Sequence, residues 1–112
     1  MISRKTVSPS GWGDGCQAWD LLAAPDLSVK HEEMPPGTRE AWHHHAQARQ
    51  VFFVLSGELT MESDGSVVCL HAHEAIAVDP GKTHQARNDS SEPVQFLVIS
   101  APSTSGDRIE GG

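Results

Sequence analysis

The segment Gly37-Thr38-Arg39-Glu40-Ala41-Trp42-His43-His44-His45-Ala46-Gln47-Ala48-Arg49-Gln50-Val51-Phe52-Phe53-Val54-Leu55-Ser56-Gly57 decides the fold. Its second half, Gln50 to Leu55, is rich in β-branched and aromatic residues and has the length of a strand. Its first half holds three consecutive histidines. In extended backbone, residues two apart share a face, so His43 and His45 present both imidazoles to one side while His44 points away toward a surface or a subunit interface. A pair spaced in this way can share one metal ion.

Outward from this segment the chain reads as more short strands. Val94 to Ile99 repeats the β-branched and aromatic character, and Leu59 to Glu62 alternates with period two. Leu27 to Met34, Ser66 to Leu70 and Ala75 to Val78 are further strands, with Asp64-Gly65 supplying a hairpin turn. Pro9 to Gly15, Pro35-Pro36-Gly37, Pro80-Gly81 and Asn88 to Pro93 cut the chain into pieces too short for average helices, and no segment keeps a 3.6-residue apolar period. The expected class is all-β, a sandwich or barrel. At 112 residues and 12.1 kDa the chain builds one core, so residues 1–112 are expected to form one domain, with 1–14 an N-terminal arm and 103–112 a flexible tail or a lid. Trp12, Trp19 and Trp42 read as core or interface filler.

Charge narrows the partners. Eight Lys+Arg against 15 Asp+Glu leave a formal charge of −7, which argues against nucleic acid and against an anionic membrane surface. A small-molecule ligand is the expected partner. Cys16 and Cys69 form no C-x-x-C pair and read as free thiols in a reducing compartment; with no apolar run of membrane-spanning length, the expected location is cytoplasmic. Seven histidines in so short a chain are the compositional oddity, and five of them fall in two tight groups, 43–45 and 71–73. His71 and His73 repeat the H-x-H spacing but have no third partner, so they read as a solvated edge.

The group at 43–45 does have a third partner. In Pro80-Gly81-Lys82-Thr83-His84 a tight turn delivers His84 at the start of a strand running toward Asn88. Imidazole is a common ligand for Zn, Ni, Cu and Fe, and three of them leave coordination positions open. The spacing G-x5-H-x-H-x4-Q-x6-G, followed by G-x2-H-x3-N, resembles the two motifs of the cupin superfamily over Gly37 to Asn88. That resemblance implies a single-domain double-stranded β-helix, or jelly-roll, barrel. It also implies one divalent metal ion (Zn, Ni, Fe, Mn or Cu) on His43, His45 and His84, with Gln50 where the family usually has a ligating glutamate, or else just outside the ligand set. His73 stands where glycine is usual in the second motif, and Asp79 where proline is usual. Glutamine at the Gln50 position is found in cupins that open and ketonise unsaturated uronates, although their acidic residue on the last strand has no counterpart in Gln95 to Ser100. Small cupins often pair through outer strands, so a homodimer is expected.

Parity extends the expected site. If His43 and His45 face inward, so does Arg39, placed to clamp a substrate carboxylate or phosphate at the mouth. Leu27 and Val29 suggest that odd positions face inward on the preceding strand, which carries His31 and Glu33 to the cavity rim as candidate acid–base groups beside Arg39. Phe52 and Val54 continue as an apolar wall facing Leu59 and Met61, making the cavity oily and poor in acids and bases. A neutral Gln50 leaves a divalent ion its full charge, which favours Lewis-acid work on oxygen ligands. Isomerisation or hydration of a small carboxylated, oxygen-rich molecule, of sugar-acid or keto-acid type, is the first expectation. A dioxygenase and a non-catalytic metal- or ligand-binding or sensing module are the alternatives, and the sequence leaves open whether turnover occurs at all.

Overall fold

The computed structural model describes residues 1–111, and Gly112, at the end of the expected tail, lies outside them. The described residues form eleven strands divided between two antiparallel sheets: β1 (Ser10–Trp12), β2 (Cys16–Ala23), β3 (Ser28–Met34), β4 (His43–His45), β5 (Arg49–Ser56), β6 (Leu59–Ser63), β7 (Ser66–Leu70), β8 (Ala75–Val78), β9 (His84–Arg87), β10 (Val94–Ala101) and β11 (Arg108–Glu110). One sheet runs β1-β2-β3-β10-β5-β8 and the other β11-β4-β9-β6-β7. This is the all-β, double-stranded β-helix architecture that the strand pattern and the motifs anticipated.

The core fills the space between the sheets. Alternation along β5 and β10 puts Phe52, Val54, Phe96 and Val98 inward, and the register pairs Phe96 with Val54 and Val98 with Phe52. Leu59 and Met61 of β6 close the core from the opposite sheet, with Met34 and Val94 fully buried beside them. The hairpin joining β6 to β7 turns at Asp64 and Gly65, both with positive φ (52° and 77°), as a two-residue turn between right-twisted strands requires. Gly57, the last residue of the histidine motif, is needed for space as well as for its φ of 83°: a Cβ there would lie 2.5 Å from the Pro93 carbonyl oxygen.

Two segments carry more structure than the sequence suggested. The N-terminal arm contributes β1, and it lays Arg4 over the outer face of the first sheet, 4.2 Å above the Trp19 ring, 3.7 Å from Glu33 and hydrogen-bonded to Gln95 at 2.8 Å. In the segment read as a flexible tail, Arg108–Glu110 form a strand against β4. Asp107 anchors that strand by accepting the backbone N–H groups of Ala46, Gln47 and Ala48 at 2.6, 3.1 and 2.9 Å.

The register of β3 corrects one expectation. Lys30 lies opposite Val98 and Glu32 opposite Phe96, both inward residues, so even positions of β3 face the barrel interior. His31 and Glu33 face outward. The misleading signal was Leu27 and Val29: Leu27 precedes the strand and is exposed, and Val29 is a half-buried residue of the outer face, opposite Ile99.

Candidate metal centre

Three backbone features bring the imidazoles together. His43 of β4 lies directly opposite His84 of β9 in the second sheet, and His45 is one inward position along. The turn before β9 closes with Lys82 N–H donating to the Asp79 carbonyl at 3.2 Å, and Gly81 N–H donates to the His45 carbonyl at 2.8 Å, so the turn is tied to β4. Ring centroids are 4.4 Å apart for His43 and His84, 5.0 Å for His43 and His45, and 6.2 Å for His45 and His84. All three rings are buried.

The hydrogen bonds fix which nitrogens are free. His43 Nδ1 sits 2.8 Å from the Ala41 carbonyl and His84 Nδ1 2.9 Å from the Lys82 carbonyl. A carbonyl can only accept, so both Nδ1 atoms carry the proton and each Nε2 keeps its lone pair. Gln50, buried on β5, donates its Nε2–H to Ser100 Oγ at 3.2 Å. Among the described residues four buried side-chain polar atoms have no hydrogen-bond partner, and three of them are His45 Nδ1, Gln50 Oε1 and His84 Nε2. Buried polar atoms without partners are costly, and their concentration here is what a site built for a cation requires. Burial also holds His43 and His45 well below the ordinary imidazole range, each at about 4, and lowers His84, so all three are neutral at pH 7. The donor set fits a divalent metal ion.

Glu40 is a residue that the sequence reading left out. With His43 and His84 it forms a group whose possible ligand atoms all lie within 4.8 Å of one another. Its Oε1 accepts the Ala86 N–H at 2.8 Å and lies 3.9 Å from His43 Nδ1, the protonated side of that ring. Burial pushes its carboxyl up to about 8 despite the Ala86 N–H. Its position three residues before His43, outside any H-x-H or H-x4-Q spacing, gave no signal.

Glu40, His43, His45 and Gln50 line a cavity of about 480 Å³, with His84 packed behind His43. Phe52 and Val98 form its apolar floor, whereas Val54, Leu59 and Met61 belong to the core beneath. Trp12, Ala18, Ala41, Ser100 and Thr104 also line it, but six charged side chains make it far richer in acids and bases than expected: Lys30 and Glu32 from β3, Arg39 and Glu40 from the approach to β4, and Arg108 and Glu110 from β11. Arg39 is thus where parity put it, exposed at the mouth. His31 is instead bonded to Gln95 at 2.9 Å and packed edge-on against Trp19, and Glu33 pairs with Arg4. Counting back in twos from Met34, an unambiguous core residue, would have found Glu32 and Lys30; Arg108 and Glu110 required knowing where the tail goes.

Outside the barrel, His71 lies 3.5 Å from Glu58 and 3.4 Å from Glu74, with Cys69 Sγ 4.0 Å from Glu58, all exposed. His44, on the opposite face of β4 from the cavity, is half-buried opposite Ile109.

The cupin domain family matches residues 30–100, well over half of the chain, and the protein belongs to that family. It is 25% identical over 67 residues to the oxalate-binding protein of Thermotoga maritima, covering 60% of this chain and 55% of that protein. It is 31% identical over 93 residues to the quercetin 2,3-dioxygenase of Bacillus subtilis, covering 75% of this chain but only 28% of the dioxygenase. The chain therefore spans at most about half the length of these relatives. Among solved structures, a double-stranded β-helix protein from Klebsiella pneumoniae superposes with a TM-score of 0.82 at 26% identity, covering 100% of this chain and 96% of that one.

Proposed function

We propose that this cupin binds one divalent metal ion through His43, His45, His84 and Gln50, and acts by Lewis-acid isomerisation or hydration on a small, oxygen-rich carboxylated molecule of sugar-acid or keto-acid type. The observation that carries the proposal is the set of buried, unpartnered atoms: those of His45 and Gln50 on the wall of one cavity, and His84 Nε2 on the ring facing His43. A bound divalent ion would supply Lewis acidity and a more acidic water, and four neutral donors would leave its charge undiminished.

The chain's own residues do the rest. The Ala41 and Lys82 carbonyls fix the tautomers of His43 and His84, and Ser100 holds the Gln50 amide with its oxygen free. Arg39 at the mouth can pair with a substrate carboxylate. The Thermotoga maritima relative is an oxalate-binding protein, and oxalate, a small dicarboxylate, agrees with this substrate class.

The similarity to the quercetin dioxygenase supports a second reading, oxygen-dependent chemistry at the same centre. Lewis-acid turnover needs no oxygen. Metal-loaded protein purified without an affinity tag, screened with uronates, keto acids and oxalate in the absence and presence of air, separates the readings. Product under both conditions supports the proposal, and oxygen uptake tied to substrate loss supports the dioxygenase. Ligand-dependent thermal stabilisation with no product in either atmosphere makes the protein a binding module.

A further inference from the structure

A reaction that moves a proton needs an acid or base within hydrogen-bond reach of the substrate. The sequence offered Glu33 for that work, but Glu33 turns outward, and besides the metal-flanking Glu40 the cavity is lined by two other carboxyls, Glu32 and Glu110. Glu40 already accepts the Ala86 N–H, and Glu110 is exposed and pairs with Arg108 at 3.3 Å. Glu32 makes no hydrogen bond or ion pair among the described residues, and the cavity it lines is the one that holds the imidazoles.

We propose that Glu32 is the residue that moves the proton, and that Arg108, with Lys30, holds a substrate carboxylate against it. The inference rests on the carboxylated-substrate reading above and names a catalytic group for it. Geometry carries it from both sheets. Lys30 and Glu32 are successive inward positions of β3, opposite Val98 and Phe96. Arg108 comes from the second sheet, in register with His45, so cation and carboxyl face one another across the cavity that the metal ligands close. Lys30 has only a loose contact with Asp20, at 4.0 Å.

The step is balanced without an oxidant. Ionised Glu32 removes the hydrogen from a hydroxyl-bearing carbon next to a carbonyl; the C–H bond breaks, the proton goes to a Glu32 oxygen, and the electron pair moves onto the carbonyl oxygen as an enediolate. The hydroxyl proton passes to the former carbonyl oxygen, the hydroxyl oxygen becomes the new carbonyl, and Glu32 returns its proton to the former carbonyl carbon, which completes an isomerisation; with a substrate lacking that hydroxyl the same abstraction gives an enolate and stops at C–H exchange. Burial pushes the Glu32 carboxyl up to about 7, opposed by Lys30 and Arg108 and reinforced by Asp20, which puts both of its forms within reach at neutral pH. The other titratable groups that sense its charge are Glu40 and Cys16.

The test uses the whole metal-loaded chain with pyruvate, galacturonate and an unsaturated uronate as probes, following C–H exchange for deuterium by NMR and turnover in parallel. Glu32→Gln should lower the rate by roughly 10²–10⁴-fold with little change in KM. The limb of the pH profile near 7 should vanish with it. Arg108→Ala should raise KM by about 10-fold or more with a smaller effect on kcat, and Arg108→Lys should recover part of the loss. Glu33→Gln, one residue away on the outer face, should behave as wild type. A Glu32→Gln protein within about twofold of wild type, or one that keeps the limb near 7, overturns the inference. Metal content, measured on every sample, separates the two levels: wild type that holds metal but exchanges no proton of any probe overturns this inference alone, and wild type that holds no metal overturns the reading beneath it.

Discussion

The chain writes the same H-x-H spacing twice, at His43-His45 and at His71-His73, and folds the two copies to opposite ends. The first lies on β4 facing the interior, with His84 directly opposite and free nitrogens in a buried cavity. The second lies in the turn between β7 and β8, where both residues are exposed, His71 is engaged by Glu58 and Glu74, and His73 stacks on Phe53 at 6.3 Å with a φ of 69°. Spacing delivers two imidazoles to one side only where the backbone is extended, and it makes a site only where a facing strand adds a third donor and removes the water.

The largest expected effect breaks this comparison outright. In untagged protein, His43→Ala with His84→Ala should take metal from about one ion per chain to almost none by elemental analysis, whereas His71→Ala with His73→Ala should leave it unchanged. Both variants should stay folded, because the core of Met34, Leu59, Met61 and Phe96 is built from other residues. Metal retained by the first variant and lost by the second would invert the assignment.

Gln50→Glu sharpens the chemistry of the inner copy. An anionic ligand in a half-dry site adds Coulomb attraction, so affinity in a chelator competition should rise by roughly tenfold or more. Unchanged affinity would place Gln50 outside the ligand set, and would turn attention to Glu40, whose carboxylate completes the other possible group with His43 and His84.

Acid should affect the metal-free protein through the inner copy. His43 and His45 are held neutral with folded values of about 4 against 6.5 when unfolded, so their contribution to stability is complete above pH 6.5 and is lost as pH falls toward 4. Glu32 and Glu40 act in the opposite sense: raised to about 7 and 8 from 4.5, they favour the fold when protonated, and that contribution fades as pH rises through 7 and 8. Denaturant melts of chelator-stripped protein across pH should show both limbs. His43→Asn with His45→Asn should flatten the acid limb, and Glu32→Gln with Glu40→Gln the alkaline one.

The smallest effect lies in the outer copy. His73 occupies the left-handed region that glycine adopts freely, at the position where cupins usually have glycine. His73→Gly should stabilise the protein by about 0.5–1 kcal/mol in thermal unfolding, the relief of backbone strain being partly offset by loss of the Phe53 stack. A destabilised variant would show that the stack matters more than the backbone.

Much of this molecule could be read before it folded. The β-branched and aromatic runs at Gln50 to Leu55 and Val94 to Ile99 became β5 and β10, the period-two run at Leu59 to Glu62 became β6, and Asp64-Gly65 became the hairpin turn it resembled. Those signals are local: alternation and turn chemistry are properties of a few adjacent residues. Cys16–Ala23 carried no β-branched residue, and became a strand because β3 offered it an edge. The face of β3 went unread for a related reason. Val29 and Leu27 looked inward, but Leu27 lies before the strand and is exposed, and pairing with β10 turns Val29 outward.

By itself, then, the sequence determined the class of fold, the strand that presents two imidazoles and the turn that presents a third; that nothing larger than glycine fits at 57 came from the close approach of Pro93. Tertiary structure decided which carboxyls and cations share the cavity. Glu32 entered through a register fixed by β10, and Arg108 through a strand pinned 61 to 59 residues away by Asp107 on the N–H groups of Ala46 to Ala48. Side-chain parity is written in each strand, but its origin is set only when a neighbouring strand pairs with it, because the buried face is whichever one the rest of the molecule covers.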